Sequence, residues 1–307
     1  MEPPSMAGVS LPPVISAGAL RRELFASRDL WSTEVHATLL HGGLTSAESA
    51  PYVLQYMPMR NRAEVPRLML EAVASPYAFE VVGFRAWPHV KPRTPFGKTP
   101  TLLVDYDASR GGPRATVSHE QAITRYLASE LGLDGGPHPL GRARCDELYA
   151  QYWSTVRNHG LTHEGELYNP VALREAIEKG EEDVLDGPRY REMPRVNTFS
   201  VAHRSVAALR VFEDILAETQ GGAGASPTFL TGKTLTYVDL ALYETLAELA
   251  EPDLIPHFAQ LLNLPRLAEF LQRVDEIPEI QSYVGSDRRI PRYTRPGYIY
   301  LHDDIPL

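Results

Sequence analysis

Two histidines in the middle of the chain have a spacing that could hold a metal ion. His159 and His163 lie four residues apart, next to Glu164. On a helix this spacing puts both imidazoles on one face, where they could act as metal ligands. A zinc site needs three or four protein ligands, and this motif supplies too few. We therefore favour two solvated histidines and predict no bound metal.

A second motif imitates a phosphate-binding loop. Gly232-Lys233-Thr234 has the order of the last residues of that loop, but Pro227 stands where its first glycine is required. A turn beside a helix is the favoured interpretation. The sequence contains no GxSxG, HExxH, GxGxxG or paired CxxC motif, so the common hydrolase, metalloprotease and dinucleotide-binding signatures are absent.

Two capping boxes predict where helices begin. Thr236 precedes Asp239 by three residues, and Ser118 precedes Gln121 by three. In this motif each of the two side chains satisfies a backbone N–H group that the first helical turn leaves unpaired. The first box predicts helix nucleation. The second predicts a helix beginning after Ser118, whose N-terminus is a candidate anion site because its N–H groups and dipole attract negative charge.

Four longer runs follow one another in the first half of the chain. They are QYMPMRNRAE (residues 55–64), WPHVK (87–91), TPFGKTP (94–100) and QAITRYLA (121–128). In order and spacing they resemble the cytosolic glutathione transferases of the tyrosine type, closest to the sigma class. The segment RARCD (142–146), the Thr236 capping box and the segment 264–278 resemble the helical half of that family. The resemblance covers about residues 51–285.

The resemblance implies a fold and a reaction. The fold is an α/β thioredoxin-like N-terminal domain followed by an all-α C-terminal domain, in a homodimer. The reaction is conjugation of the glutathione thiolate to a hydrophobic, electrophilic small molecule, a detoxification chemistry with glutathione as co-substrate and no metal. Two alternatives stay open, a glutathione-dependent isomerase, as the sigma class includes, and a non-catalytic protein that keeps the fold for binding or structure.

Two residues match the family's thiolate-activating groups. Tyr56 falls on the tyrosine that donates a hydrogen bond to the glutathione sulfur, and Arg62 on the arginine that holds positive charge near it. A thiol of pKa ~8.5 is mostly protonated at pH 7, whereas the thiolate is the nucleophile. Lowering that pKa by about two units requires ~2.7 kcal/mol, which these groups supply because charged hydrogen bonds contribute ~1.5–3 kcal/mol each. A core tyrosine and a helix-start arginine are the structural alternatives.

The resemblance also implies which residues bind the rest of glutathione. Trp87 and Lys91 match the pair that contacts its glycine carboxylate; a tryptophan packed on a lysine stem is the alternative. Thr99-Pro100 matches the cis-proline whose neighbouring backbone pairs with the cysteinyl residue like a short strand. Lys98 stands just before it.

The γ-glutamyl end of glutathione is where this sequence departs from the family. His119-Glu120 stands where the family has Gln-Ser or Glu-Ser, so a carboxylate replaces the serine that binds the γ-glutamyl carboxylate. Two anions a few ångströms apart repel by about 1 kcal/mol in water. Ser118 could substitute, Glu120 could turn toward the γ-glutamyl amine, or His119 could compensate the charge.

One further glutathione contact is expected across a dimer. Asp146 of the partner subunit matches an acid that reaches the γ-glutamyl amine. An ordinary acid at a helix start, stabilised by the helix dipole, is the equal alternative.

Hydrophobic periodicity predicts the elements that carry these residues. Period-2 or continuous apolar runs predict strands at 53–57, 79–82, 101–105 and 115–117, and a helical stripe predicts a helix at 62–74. From residue 141 the strand signal disappears, and helical spacing recurs at 144–157, 171–179, 201–220, 237–250, 257–262 and 267–274. The predicted domains are a partly irregular N-terminal extension (1–50), a thioredoxin-like glutathione-binding domain (51–133), an all-helical domain (141–285) and a C-terminal tail (286–307) that drapes over the surface.

Composition excludes several other classes of protein. The 307 residues are 43% hydrophobic and 22% charged, with no apolar stretch near the ~18 residues that span a bilayer. A net charge of −9 disfavours a nucleic-acid partner. The single cysteine, Cys145, allows no internal disulfide. The first 30 residues match neither a secretory signal nor a transit peptide, so we expect a cytoplasmic protein.

Overall fold

A computed structural model of the chain describes residues 10–27, 30–157, 198–220, 229–252, 255–294 and 298–300. The chain forms two compact units, the sheet unit (Met1–Leu131 with Pro278–Leu307) and the helical unit (Gly132–Ile277). The histidine pair near Glu164 and the helix predicted at 171–179 lie outside the described residues. Within the described ranges no helix combines the length and apolar character needed to cross a membrane.

The elements alternate in the first unit and are helical in the second. In chain order they are α1 (Ala17–Ser27), β1 (His36–His41), β2 (Ser49–Tyr56), α2 (Glu64–Ala72), β3 (Tyr77–Val82), α3 (Trp87–Val90), β4 (Thr101–Asp107), β5 (Gly112–Ser118), α4 (Glu120–Leu131), α5 (Pro139–Gln151), α6 (Thr198–Gln220), α7 (Tyr237–Leu249), α8 (Phe258–Leu261), α9 (Pro265–Asp275), α10 (Pro278–Val284), β6 (Arg292–Thr294) and β7 (Tyr298–Tyr300). Short 3₁₀ turns lie at Leu30–Ser32, Asn61–Ala63, Lys91–Arg93, Pro95–Gly97 and Ala108–Arg110, and a π-helical turn at Tyr152–Arg157.

The sheet has five strands in the order β1-β3-β2-β4-β5. Strands β2 and β3 are parallel, and every other neighbouring pair is antiparallel. All six residues of β3 are buried, as are the last four of β2. Burial on both faces explains why these strands are nearly continuous apolar runs. The predicted order, an α/β unit followed by a helical one, is confirmed.

The N-terminal segment is more ordered than the expected, partly irregular extension. Strand β1 pairs with β3 from His36↔Val82 to His41↔Tyr77 and adds an edge strand to the sheet. Beyond it, Thr38 exchanges backbone hydrogen bonds with Pro13 and Ile15. Pairing with β3, rather than a local signal, decides the conformation of the six residues of β1.

The C-terminal segment also belongs to the sheet unit. The all-helical domain was expected to run to residue 285, but α10 packs against α2. The expected surface tail begins with a well-packed stretch in which Ile290 and Arg292 are buried. Strands β6 and β7 then form a two-stranded antiparallel ribbon.

Helix α7 is the centre of the helical unit. It packs against α5, α9 and the π-helical turn, and nearly every residue is buried. Its predicted capping box is confirmed, and the Asp239 carboxylate accepts hydrogen bonds from the Thr236 amide (2.7 Å) and hydroxyl (2.6 Å). The Leu230 amide donates to the same carboxylate at 2.8 Å. Burial raises the pKa of Asp239 to about 6 despite these donors.

Candidate functional site

The sheet brings most of the predicted glutathione-binding residues to one of its ends. Because β2 and β3 are parallel, their carboxyl ends share an edge, which they also share with the amino end of β4 and the carboxyl end of β5. The register pairs Gln55 with Thr101. Tyr56 and Pro100 are therefore neighbours at the strand ends, with the segment that leads to Trp87 on the other side of β2.

Tyr56 is the last residue of β2 and is 3% exposed. The chain then turns through the buried Met57 and Met59 into the 3₁₀ turn at Asn61–Ala63. Arg62 lies in this turn with its side chain exposed. The two residues thus lie on one connection after β2, and their roles toward a thiolate stay predictions.

Trp87 and Lys91 lie beyond the carboxyl end of β3. Trp87 opens α3 and is half-buried, whereas Lys91 begins the next 3₁₀ turn and is exposed. The Lys91 stem passes over Gly97, where a Cβ atom would lie 3.2 Å from the lysine Cε. The structure therefore packs the Lys91 stem against the backbone at Gly97 and leaves Lys98 exposed in the same loop.

The peptide bond between Thr99 and Pro100 is cis, as the resemblance implies. The Pro100 carbonyl accepts a hydrogen bond from the His119 amide at 3.3 Å, and the Thr101 hydroxyl donates to the Lys98 carbonyl at 3.0 Å. The first contact joins the loop before β4 to the segment after β5, and the second closes the loop on the start of β4.

The capping box predicted at Ser118 is wrong by one residue. Ser118 ends β5, and its hydroxyl lies 3.2 Å from that of Thr101 on β4. His119 adopts a φ of 71°, and its carbonyl accepts from the Ile123 amide, so α4 begins at Glu120. Strand pairing thus competes successfully with the cap.

This helix start explains the departure at Glu120. The residue is 3% exposed and occupies the first turn of α4. A carboxylate there is stabilised by the positive end of the helix dipole. Glu120 is therefore favourably placed at the helix start, while His119 is exposed at the end of the sheet.

Asp146 and Cys145 lie in the helical unit. Asp146 is exposed on α5 and accepts a 2.7 Å hydrogen bond from the hydroxyl of Tyr237, the first residue of α7. This contact gives Asp146 a structural role within its own chain, and its role toward a neighbouring glutathione stays a prediction. Burial raises the pKa of Cys145 to about 11, so this thiol is protonated at neutral pH and is a poor nucleophile.

Metal chemistry has no visible site in the part of the chain that the structure describes. No group of three or more His, Cys, Asp or Glu side chains is placed there to hold an ion.

Sequence reasoning missed Gly83, which the structure places against the N-terminal segment just before Trp87. A lone glycine between a strand and a helix carries no local signal of such a contact.

Comparison with known proteins points to one family. Residues 197–287 match the family described as "Glutathione S-transferase, C-terminal domain". "Probable glutathione S-transferase 7" of Caenorhabditis elegans is 37% identical over 211 residues, covering 68% of this chain and 86% of the relative. "Probable glutathione S-transferase 6" of the same organism is 27% identical over 235 residues, covering 76% and 96%.

A solved structure agrees on the fold. A Nu-class GST from Haemonchus contortus superimposes with a TM-score of 0.56 at 21% identity, over 77% of this chain and 96% of that one. At this identity the likeness concerns the fold alone. The identity to the Caenorhabditis relative over most of its length decides the family: the chain belongs to the glutathione S-transferases.

Proposed function

We propose that this protein is a glutathione transferase of the tyrosine type that joins the glutathione thiolate to a hydrophobic, electrophilic small molecule. The observation that carries the proposal is Tyr56, placed at the end of β2 next in register to the cis peptide bond of Thr99–Pro100. Family membership supports the same activity. The closeness to the sigma class, which the sequence motifs imply, is part of this proposal.

In the proposed reaction the Tyr56 hydroxyl donates a hydrogen bond to the thiolate sulfur. Arg62 adds positive charge from the same connection, so the thiol releases its proton to solvent near neutral pH. The sulfur electron pair forms a bond to the electrophilic carbon. With an aryl halide the halide leaves with its bonding electrons.

We assign glutathione binding to the predicted domain of residues 51–133. Trp87, Lys91 and Lys98 would hold the glycine carboxylate side, and the backbone at Thr99 and Pro100 the cysteinyl residue. Two exposed lysines supply the positive charge that a carboxylate needs in a protein of net charge −9. His119 and Glu120 would face the γ-glutamyl end.

The test is turnover of glutathione with an aryl halide. Tyr56→Phe removes one charged hydrogen bond, so kcat/KM should fall about 10- to 100-fold at neutral pH. The loss should shrink at a pH where the thiol ionises unaided. Tyr52→Phe, in the same strand, is the matched control and should retain activity. Equal activity of the parent and Tyr56→Phe would contradict the proposal.

One observation favours a second candidate, a non-catalytic protein that has kept the fold. The buried carboxylate of Glu120 stands where the family has a serine that binds the γ-glutamyl carboxylate. Calorimetric titration with reduced glutathione separates the two functions. Saturable binding by the parent, one site per chain, supports the transferase; binding by Glu120→Ser alone supports the non-catalytic alternative.

The homodimer and the cytoplasmic location rest on the resemblance. We propose a dimer in which Asp146 of the partner subunit contacts the γ-glutamyl amine. Sedimentation measures the oligomeric state, and Asp146→Asn should weaken glutathione binding severalfold if the contact crosses the dimer. An unchanged affinity would leave Asp146 with its hydrogen bond from Tyr237 alone.

A further inference from the structure

The turn that leads from β3 to α3 is held by the N-terminal segment. The Gly83 amide donates to the Val35 carbonyl at 2.6 Å, and the Arg85 amide donates to the Thr33 carbonyl at 3.0 Å. The Phe84 amide also lies 3.4 Å from the Thr33 hydroxyl. Residues 33–35, here called the N-terminal clamp, therefore continue the β1–β3 pairing beyond the ends of both strands.

Gly83 lies so close to the clamp that no side chain fits there. A Cβ atom would lie 2.5 Å from the Thr33 carbonyl oxygen and 2.8 Å from that of Val35. Both atoms are backbone, so neither can move away by changing a rotamer. The φ of Gly83 lies outside the left-handed region, so the close approach, rather than backbone conformation, requires glycine here.

The turn is coupled directly to the predicted glutathione contacts. The Gly83 carbonyl accepts hydrogen bonds from the Ala86 amide (3.0 Å) and the Trp87 amide (2.9 Å), which starts α3. Lys91 follows one helical turn after Trp87. A displacement of Gly83 therefore moves the start of α3, and with it Trp87 and the Lys91 that follows the helix.

We propose that the N-terminal clamp is a positioning element for glutathione, which fixes the turn at residues 83–86 so that Trp87 and Lys91 meet the glycine carboxylate. The inference rests on the proposed function. The clamp lies before residue 51, outside the part of the chain that resembles the family. It acts through backbone carbonyls, so it adds binding energy without touching the substrate, by holding its contacts in place.

The test compares Gly83→Ala with Gly18→Ala. The first forces the turn away from the clamp. The second places the same methyl group on α1 in the same N-terminal segment, where the nearest atoms are 3.6 and 3.7 Å away. We expect Gly83→Ala to raise KM and the calorimetric Kd for glutathione about tenfold, the loss of about one charged hydrogen bond, with kcat at saturating glutathione within about twofold. Gly18→Ala should match the parent.

A double-mutant cycle in which Trp87→Ala and Lys91→Ala are made together as the second change separates positioning from a general loss of structure. If the clamp acts through Trp87 and Lys91, Gly83→Ala should change KM by less than about twofold in that background. A tenfold change in both backgrounds, or a fall in kcat with unchanged KM, would overturn the inference.

A second variant serves if Gly83→Ala does not fold. Thr33→Gly removes the hydroxyl near the Phe84 amide and loosens the backbone that carries the Thr33 carbonyl, so it should raise KM for glutathione about twofold, with the unfolding midpoint reported alongside; an unchanged KM overturns the inference. A parent that binds no glutathione overturns the proposed function and this inference together. A parent that binds, with unaltered KM in Gly83→Ala, overturns the inference alone.

Discussion

Two segments, one from the N-terminal and one from the C-terminal part of the chain, stabilise the sheet unit through different kinds of contact. The N-terminal clamp uses neutral backbone carbonyls on the turn before Trp87. The C-terminal clamp, defined as Tyr283, Arg288 and Arg289, contacts α2 through charged and phenolic side chains. A backbone clamp depends on close approach and is indifferent to pH, whereas a side-chain clamp depends on the charge of each partner.

Glu64 is the first anchor of the C-terminal clamp. Its buried carboxylate accepts hydrogen bonds from Arg289 Nε and from the Tyr283 hydroxyl, both at 3.0 Å. Arg67 Nη1 lies 3.7 Å from the same carboxylate. Because Glu64 begins α2 two residues after Arg62, this anchor fixes the helix start next to the predicted catalytic arginine.

The second anchor lies further along α2. The Arg288 guanidinium donates to Glu71 at 2.9 Å, and the Arg288 carbonyl accepts from Arg67. The Arg67 guanidinium lies 4.5 Å from the ring centroid of Phe79 and 5.1 Å from that of Tyr283. Buried charges are therefore paired along α2, so removing one partner leaves another charge uncompensated.

The largest expected effect is the loss of the first anchor. Glu64→Gln removes the charge that faces Arg67 and Arg289, and breaking a buried ion pair costs about 3–5 kcal/mol. We expect the free energy of unfolding, measured with urea, to fall by that amount. Glutathione affinity should also fall if the α2 start positions Arg62.

The control is an ion pair in the same unit that is open to solvent. Arg114 lies 2.6 Å from Asp105, and both side chains are more than half exposed. Exposed pairs contribute about 0–1 kcal/mol, so Arg114→Gln should cost no more than that. If Glu64→Gln is equally mild, the C-terminal clamp adds little to stability.

The second prediction uses the pH dependence of stability to distinguish the charged contacts on α2 from the neutral N-terminal clamp. His41 stacks on Tyr77 at 4.4 Å, with its Nδ1 3.1 Å from Glu71. Burial, reinforced by the positive charges of Arg67 and Arg288, lowers the pKa of His41 from 6.5 to about 4, although Glu71 opposes this. Below pH 6.5 the unfolded chain binds a proton that the folded one does not, so stability falls as the pH drops toward 4.

The expected size of this change is about 3 kcal/mol, the free-energy equivalent of that pKa displacement. The measurement is the difference in unfolding free energy between the parent and His41→Phe at several pH values from 4 to 7. The parent should lose stability relative to the variant on acidification. A difference that is constant with pH would show that His41 titrates in the folded protein as it does when unfolded.

Glu71, which accepts a hydrogen bond from Arg288 of the C-terminal clamp, adds to the acid sensitivity of these contacts. Although burial opposes it, contacts with His41, Arg288 and Tyr77 hold the pKa of Glu71 below its ordinary value. Its contribution is therefore present above that ordinary value and is lost as the pH falls through the lowered one. The carbonyls of Thr33 and Val35 do not titrate, so the N-terminal clamp should keep its strength over the same range.

The two clamps also mark the limit of what the sequence could predict. Strands β2 to β5 and helices α2 and α7 each carry a local signal, either apolar periodicity or a capping box. The hydrogen bonds of the C-terminal clamp join residues 217 to 225 positions apart, such as Glu64 and Arg289. Charged residues in such pairs have no local pattern, so the segment from residue 286 resembled a surface tail.

The candidate site shows the same limit at closer range. The motifs around Tyr56, Trp87 and Pro100 were identified because each is compact in sequence, and the sheet register brings them to one end. The start of α4 was displaced by one residue because Ser118 pairs with Thr101, which lies 17 residues away. Gly83 could not be identified, because its constraint comes from the carbonyls of Thr33 and Val35.

The smallest expected effect concerns the aromatic cover of the N-terminal clamp. Trp31 is 54% exposed, and its ring meets that of Phe84 edge-on at 4.4 Å. Such pairs contribute ~0.5–1.5 kcal/mol, and exposure favours the lower end. We expect Trp31→Ala to lower the unfolding free energy by about that amount, and Trp31→Phe, which keeps a ring over Phe84, to recover most of it.

The cost of Trp31→Ala should not depend on pH, and this independence tests the comparison between the clamps. Neither ring titrates, so the cost of Trp31→Ala should be the same at pH 5 and pH 7, where the cost of His41→Phe should differ. A Trp31→Ala cost that changes with pH would mean that the N-terminal clamp is coupled to the charged network on α2. The separation between a neutral and a charged clamp would then no longer hold.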